Sequence, residues 1–143
     1  MPAIETYAAQ FVAAMRSMIG TPWHHIGRLP GVGLDCAGLG VCAARACGLP
    51  IIDVPVYGRS PRPSVLFACF DAQFHRVDVD ELAQGDFVAF WIARPTLPQH
   101  IGYITDYAGG GLGMIHTYQD VGRVVEHRFD ERWRSRAAAA WRM

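Results

Sequence analysis

The sequence predicts an α+β domain, a largely antiparallel sheet with N-terminal helices packed on one side. Three observations predict it. Apolar residues recur at helical spacing through the first half of the chain, short β-rich segments broken by Gly or Pro fill the second, and no repeat or low-complexity linker separates them. The 143 residues suit one domain with one core, so residues 1–143 are read as a single domain.

The elements follow in order. Ile4, Tyr7, Ala8, Phe11, Val12, Met15 and Ile19 form one stripe of an amphipathic helix, closed by Gly20 with Pro22 beyond. A Gly/Pro/His-rich loop, Thr21 to Leu34, leads to a small-residue helix from Cys36 to Cys47. Asp35 is its natural N-cap and Gly48-Leu49-Pro50 its stop. Ile51 to Pro63 is Pro-rich and irregular, and Ser64 to Phe74 reads as a third helix. Strands are expected at Phe87 to Ile92, Ile101 to Thr105, Leu112 to Tyr118, Arg123 to Arg128 and Ala137 to Trp141.

Composition narrows the function. Hydrophobic residues make up 51% and charged residues 18%, the balance of a folded globular chain. Thirteen basic residues offset thirteen acidic ones, so no global field draws the protein to nucleic acid or an anionic membrane. All the basic residues are arginine, which leaves no lysine to act as a base or Schiff-base former. No apolar run reaches the roughly 20 residues of a spanning helix, so membrane insertion is not expected. The N-terminus has no charged region followed by an apolar run, which predicts synthesis in the cytoplasm without a signal peptide. The four cysteines, Cys36, Cys42, Cys47 and Cys69, then read as free thiols, with no CxxC spacing to hold zinc.

Cys36 carries the chemistry. At a helix N-terminus, unpaired N–H groups and the positive end of the dipole favour a thiolate and can receive an oxyanion. Two histidines fall in adjacent predicted strands, His100 before and His116 after the turn Gly109-Gly110-Gly111. If these strands form a hairpin, pairing His100 with His116 sets Asp106 opposite Gly110. Any even-sum register keeps both histidines on one face, where one imidazole can orient the other. Cysteine, base and orienter are the parts of an activated nucleophile.

Gly20-Thr21-Pro22-Trp23 with His25, Gly33-Leu34-Asp35-Cys36-Ala37-Gly38-Leu39-Gly40, Leu82 to Phe90, His100-Ile101-Gly102-Tyr103 and Met114-Ile115-His116 occur here in sequence. On these segments the chain resembles the papain-like NlpC/P60 family of cell-wall peptidases. Val124 to Arg128 and Trp133 to Arg142 resemble its phage-type branch, from tail and gene-transfer-agent clusters. The resemblance implies the papain-like NlpC/P60 fold, Cys36 as nucleophile, His100 as base and His116 as its orienter. Trp23, His25 and Asp35 are the expected substrate-side residues, with Trp23 where the family usually has tyrosine. It also implies a cysteine peptidase acting on peptidoglycan peptides, such as the D-γ-glutamyl–diaminopimelate bond, without a cofactor. A phage-like tail or hub protein is the expected partner, and a phage-like particle the route to the cell wall.

Two other functions compete: a structural tail component with a hydrolase fold, and an amidase or acyltransferase on another substrate. The remaining polar residues read more plainly. Adjacent His24 and His25 diverge and lack acidic or thiol neighbours, which argues against a metal site. Asp86 is expected in a turn, His75 at a helix end, and His127 on the surface, its face undetermined because eleven residues separate it from His116. Six arginines between Arg123 and Arg142, interleaved with acidic residues, read as a solvated face.

Overall fold

A computed structural model describes residues 3–53, 63–92 and 98–143. The Pro-rich stretch expected to be irregular falls largely outside them. Three helices come first: α1 (Ala3–Arg16), α2 (Cys36–Ala46) and α3 (Pro63–Gln73). A two-stranded ribbon, β1 (Arg28–Leu29) with β2 (Gly33–Leu34), interrupts the loop before α2. The main sheet holds β3 (His75–Val77), β4 (Phe87–Trp91), β5 (Pro98–Asp106), β6 (Leu112–His116), β7 (Val125–Arg128) and β8 (Ala137–Arg142). Its strand order is β3-β8-β4-β5-β6-β7, antiparallel throughout. A short helix, α4 (Glu131–Arg134), lies between β7 and β8. The predicted α+β class is the observed one.

Strand periodicity sorts the core into two layers. Phe87, Ala89, Ile101, Tyr103, Ile115 and Trp141 face α1, α2 and α3, where Phe11, Met15, Leu39 and Phe70 meet them. Val88, Phe90, Ile104, Met114 and Ala140 face the other way and are covered by Phe129 and by Trp133 of α4. The three large helices do share one side, as expected. The opposite face is also closed, because Asp130 caps α4 through Trp133 N–H and turns the Trp133 ring inward.

Several expectations change in detail. α1 ends at Arg16, three residues short of the stripe's end. Ile19 is therefore exposed, and the following turn buries Met18 instead. His75 does not finish α3; it opens β3 and pairs with Arg142. Cys47 caps α2 rather than lying inside it, and all four cysteines are free and partly accessible. Asp86 stands before β4 as expected, but it is fully buried and its carboxylate receives Arg142 through two 2.8 Å bonds and the Ala83 N–H. That pairing is what makes a buried carboxylate tolerable, and it ties the last strand to the start of β4.

Candidate active site

Asp35 builds the front of α2. Its carboxylate accepts from Gly38 N–H at 2.8 Å, which caps the helix. The same group accepts from Ile26 N–H at 2.9 Å and from Arg28 Nη1 at 2.8 Å. Arg28 in turn holds Asp53 through Nε and Nη2, at 2.9 and 3.1 Å. Ile26 sits at φ +58°, a left-handed conformation that costs a β-branched residue of the order of 1–3 kcal/mol. The bond to Asp35 offsets that cost and folds the loop back onto the helix. Asp35, expected on the substrate side, is thus committed to holding the loop and helix together.

Gly38 lets this happen. A Cβ there would land on the Gly27 carbonyl oxygen, which cannot move without breaking the loop. Gly38→Ala is expected to lower stability by about 2 kcal/mol or more, read as a fall in Tm of several degrees. Unchanged melting would show that the loop does not rest on the helix. Gly40 makes similar room two residues further along the helix, where a Cβ would fall on the Tyr103 hydroxyl. That hydroxyl donates to the Cys36 carbonyl at 2.7 Å and ties the first turn of α2 to β5.

The backbone N–H groups of Ile101 and Ala37 are near enough to the Cys36 sulfur to favour its thiolate, though less than burial opposes it. Burial, with the Asp35 carboxylate beside it, pushes the thiol up to about 12. The lowered thiol pKa expected from the helix N-terminus is therefore not what the site produces. Burial drives His100 the other way, down to about 3, and His116 to about 2. Both effects favour neutral partners in the resting protein.

His100 and His116 are buried and joined, Nε2 to Nδ1, at 2.8 Å. The pairing differs from the one expected. Asp106 pairs with Leu112, not Gly110, so the register sum is 218 and the two histidines are diagonal. Three consecutive glycines with φ of 91°, 97° and 77° widen the loop, which closes through Tyr107 N–H to the Gly111 carbonyl at 3.2 Å. The sum is still even, so the shared face survives the slip. Gly102 occupies the place opposite His116, where a Cβ would sit 3.6 Å from that of His116. Its missing side chain leaves room for the two rings to meet.

His127 corrects the surface reading most sharply. It pairs with Met114, two residues from His116, and is half-buried. Its Nε2 lies 2.8 Å from His116 Nε2, and its Nδ1 lies 2.9 Å from the Arg128 carbonyl oxygen. Trp133 touches all three imidazoles, with ring centroids 5.9, 4.9 and 6.2 Å away, and Tyr118 flanks His100 and His116. The sequence signal available for His127 was its odd separation from His116. An odd β6–β7 register sum returns it to the same face.

Trp23 and His25 are half-buried in the loop before Cys36. Trp23 bridges Leu34 in parallel and donates to the Gly122 carbonyl at 2.9 Å, while Thr21 and Val124 bond next to it. The aromatic residue is thereby held beside the strand that leads into Cys36. His24 Nδ1 donates to the His25 carbonyl at 3.0 Å, and no group of three or more candidate metal ligands exists among the described residues.

No protein-family model matches the sequence, and no curated protein does. Solved structures do. The NlpC/p60 domain of the peptidoglycan hydrolase SagA is 23% identical, covers 95% of this chain and 98% of its own, and superposes with a TM-score of 0.64. An NlpC/P60 family protein from Bacillus cereus is 21% identical with a TM-score of 0.68, over 94% of this chain but 39% of its own length. RipD from Mycobacterium tuberculosis, described as a non-catalytic NlpC/p60 domain protein adapted to peptidoglycan binding, is 16% identical. It matches over 96% of both chains with a TM-score of 0.62. The fold of this chain is the NlpC/P60 fold.

Proposed function

We propose that the protein is a peptidoglycan stem-peptide hydrolase that uses Cys36 as nucleophile. The observation that carries the reading is the buried His100 bonded to a second buried histidine, on the strand to which Tyr103 ties the Cys36 end of α2. Similar domains include both hydrolases and a non-catalytic binder, so the fold alone does not choose between them. What supports the catalytic reading is the buried pair of directly bonded imidazoles, His100 and His116, together with a cysteine at the N-terminus of α2.

The chemistry follows from the neutral resting pair. As the thiol attacks the scissile carbonyl, its proton passes to His100, and His116 steadies the imidazolium that forms. Attack and proton transfer proceed together, since burial disfavours a preformed ion pair. The carbonyl oxygen becomes an oxyanion at the front of α2. Asp35 already occupies the Gly38 N–H, so the Cys36 N–H is the donor nearest the new charge. His100 then protonates the leaving amine, and water releases the acyl group. No step requires a cofactor.

Trp23 and His25 border the entrance in this reading. The D-γ-glutamyl–diaminopimelate bond as substrate, a tail or hub protein as partner and a phage-like particle as vehicle complete the proposal; their support is the sequence resemblance. Digestion of purified Gram-negative peptidoglycan, with mass spectrometry of the soluble products, tests it. Fragments ending in D-γ-glutamate with a new diaminopimelate amine are expected. Fragments cut elsewhere would keep the hydrolase and change the bond, and tight binding without release would favour the non-catalytic role.

A further inference from the structure

We propose that His127 is a positioning residue that sets the tautomers of His116 and His100 and so leaves the lone pair of His100 on Nδ1. The proposal rests on the reading of Cys36 and His100 as nucleophile and base, and it extends the site by one residue.

The hydrogen-bond chain is anchored at its outer end. The Arg128 carbonyl oxygen, 2.9 Å from His127 Nδ1, can only accept, so Nδ1 carries the hydrogen. A neutral His127 then has its lone pair on Nε2, which faces His116 Nε2 at 2.8 Å. His116 must donate there, which places its hydrogen on Nε2 and its lone pair on Nδ1. His116 Nδ1 faces His100 Nε2 at 2.8 Å, so His100 donates from Nε2. The one nitrogen of His100 left with a lone pair is Nδ1, and that is the atom a general base needs. Each imidazole has one donor and one acceptor, and a fixed backbone acceptor at one end leaves a single consistent assignment. The ring nitrogens point at one another and not at a common centre, which separates this arrangement from a metal site.

Packing keeps the order. Trp133 borders all three rings, and Tyr118 stacks on His116 at an interplanar angle of 28°. Burial holds His100 and His116 neutral, and neutral imidazoles are what a one-donor, one-acceptor chain requires.

The test reads tautomers directly by two-bond proton–nitrogen NMR of protein labelled with 15N-histidine, with single His→Gln variants for assignment. In the wild type at pH 7.5, hydrogen is expected on Nε2 of His100 and His116 and on Nδ1 of His127. His127→Ala removes the terminal acceptor, so His116 and His100 should populate both tautomers. On a soluble stem-peptide substrate its kcat should fall about ten-fold with KM unchanged. His127→Gln can accept from His116 through its side-chain oxygen, and should restore both the tautomers and most of kcat. Hydrogen on Nδ1 of His100 in the wild type would overturn the proposal. So would a folded His127→Ala protein with unaltered tautomers and kcat, or a glutamine variant no better than alanine. The spectra need no substrate, so a protein that cleaves no stem peptide would refute the hydrolase reading and still decide this one.

Discussion

Replacing Cys36 with alanine is expected to abolish stem-peptide release, by about ten-thousand-fold or more, while leaving the fold in place. The size follows from the division of labour. Alanine keeps the helix cap, because Asp35 and Gly38 are untouched, and keeps the Tyr103 bond, because that bond uses the Cys36 carbonyl. On the proposed mechanism, what disappears is the atom that forms the acyl bond. Cys42, another thiol on the same helix, donates to the Arg28 carbonyl at 3.3 Å. The check is a paired digestion with wild type and variant, alongside thermal melts. Loss of activity with Tm within a few degrees assigns the nucleophile. Activity within ten-fold of wild type would move the chemistry to a different residue, and the neutral resting pair would lose its purpose.

The features of this site that the sequence revealed are those set by local rules. Asp35 before Cys36 was legible because a helix cap needs only neighbours within three residues, and the structure shows that bond. The common face of His100 and His116 was legible because parity survives a register slip of two. The slip itself was not, since three glycines permit loops of more than one width. Longer-range partners left little trace. Arg28 acquires its role by bridging Asp35 and Asp53 across 7 and 25 residues. Trp133 meets the imidazoles because a four-residue helix happens to pack on the sheet's second face. Layering followed the same pattern: helices on one side could be read from order along the chain, whereas closure of the other side depended on tertiary packing. Periodicity reports which side of an element is apolar, and it cannot report which other element arrives there.

Acid is expected to unfold this protein well before its carboxylates titrate. His100 and His116 are held neutral by burial, their folded-state pKa values at about 3 and about 2 against an ordinary 6.5. Below 6.5 the unfolded chain takes up protons at both positions and the folded chain does not. Stability contributed by these groups is therefore fully present above pH 6.5 and is lost as pH falls toward the folded values. Each histidine costs about 1.4 kcal/mol per pH unit in that window, so two units remove about 5 kcal/mol, a large part of the roughly 5–15 kcal/mol available to a domain. Carboxylates act lower down: Glu126, held low by Arg16, and Asp71, held low by Arg76, begin to matter only beneath their ordinary 4.5 and 3.8. Urea unfolding at pH 7.5, 6.5, 5.5 and 4.5 should show little change over the first step and a steep fall over the last two. His116→Asn, which removes one of the two titrating rings, should roughly halve that slope even if it lowers stability at pH 7.5. A flat profile from pH 7.5 to 4.5 would mean that both histidines take up protons in the folded state as readily as in the unfolded one, and a charged His100 would have no lone pair with which to take the Cys36 proton.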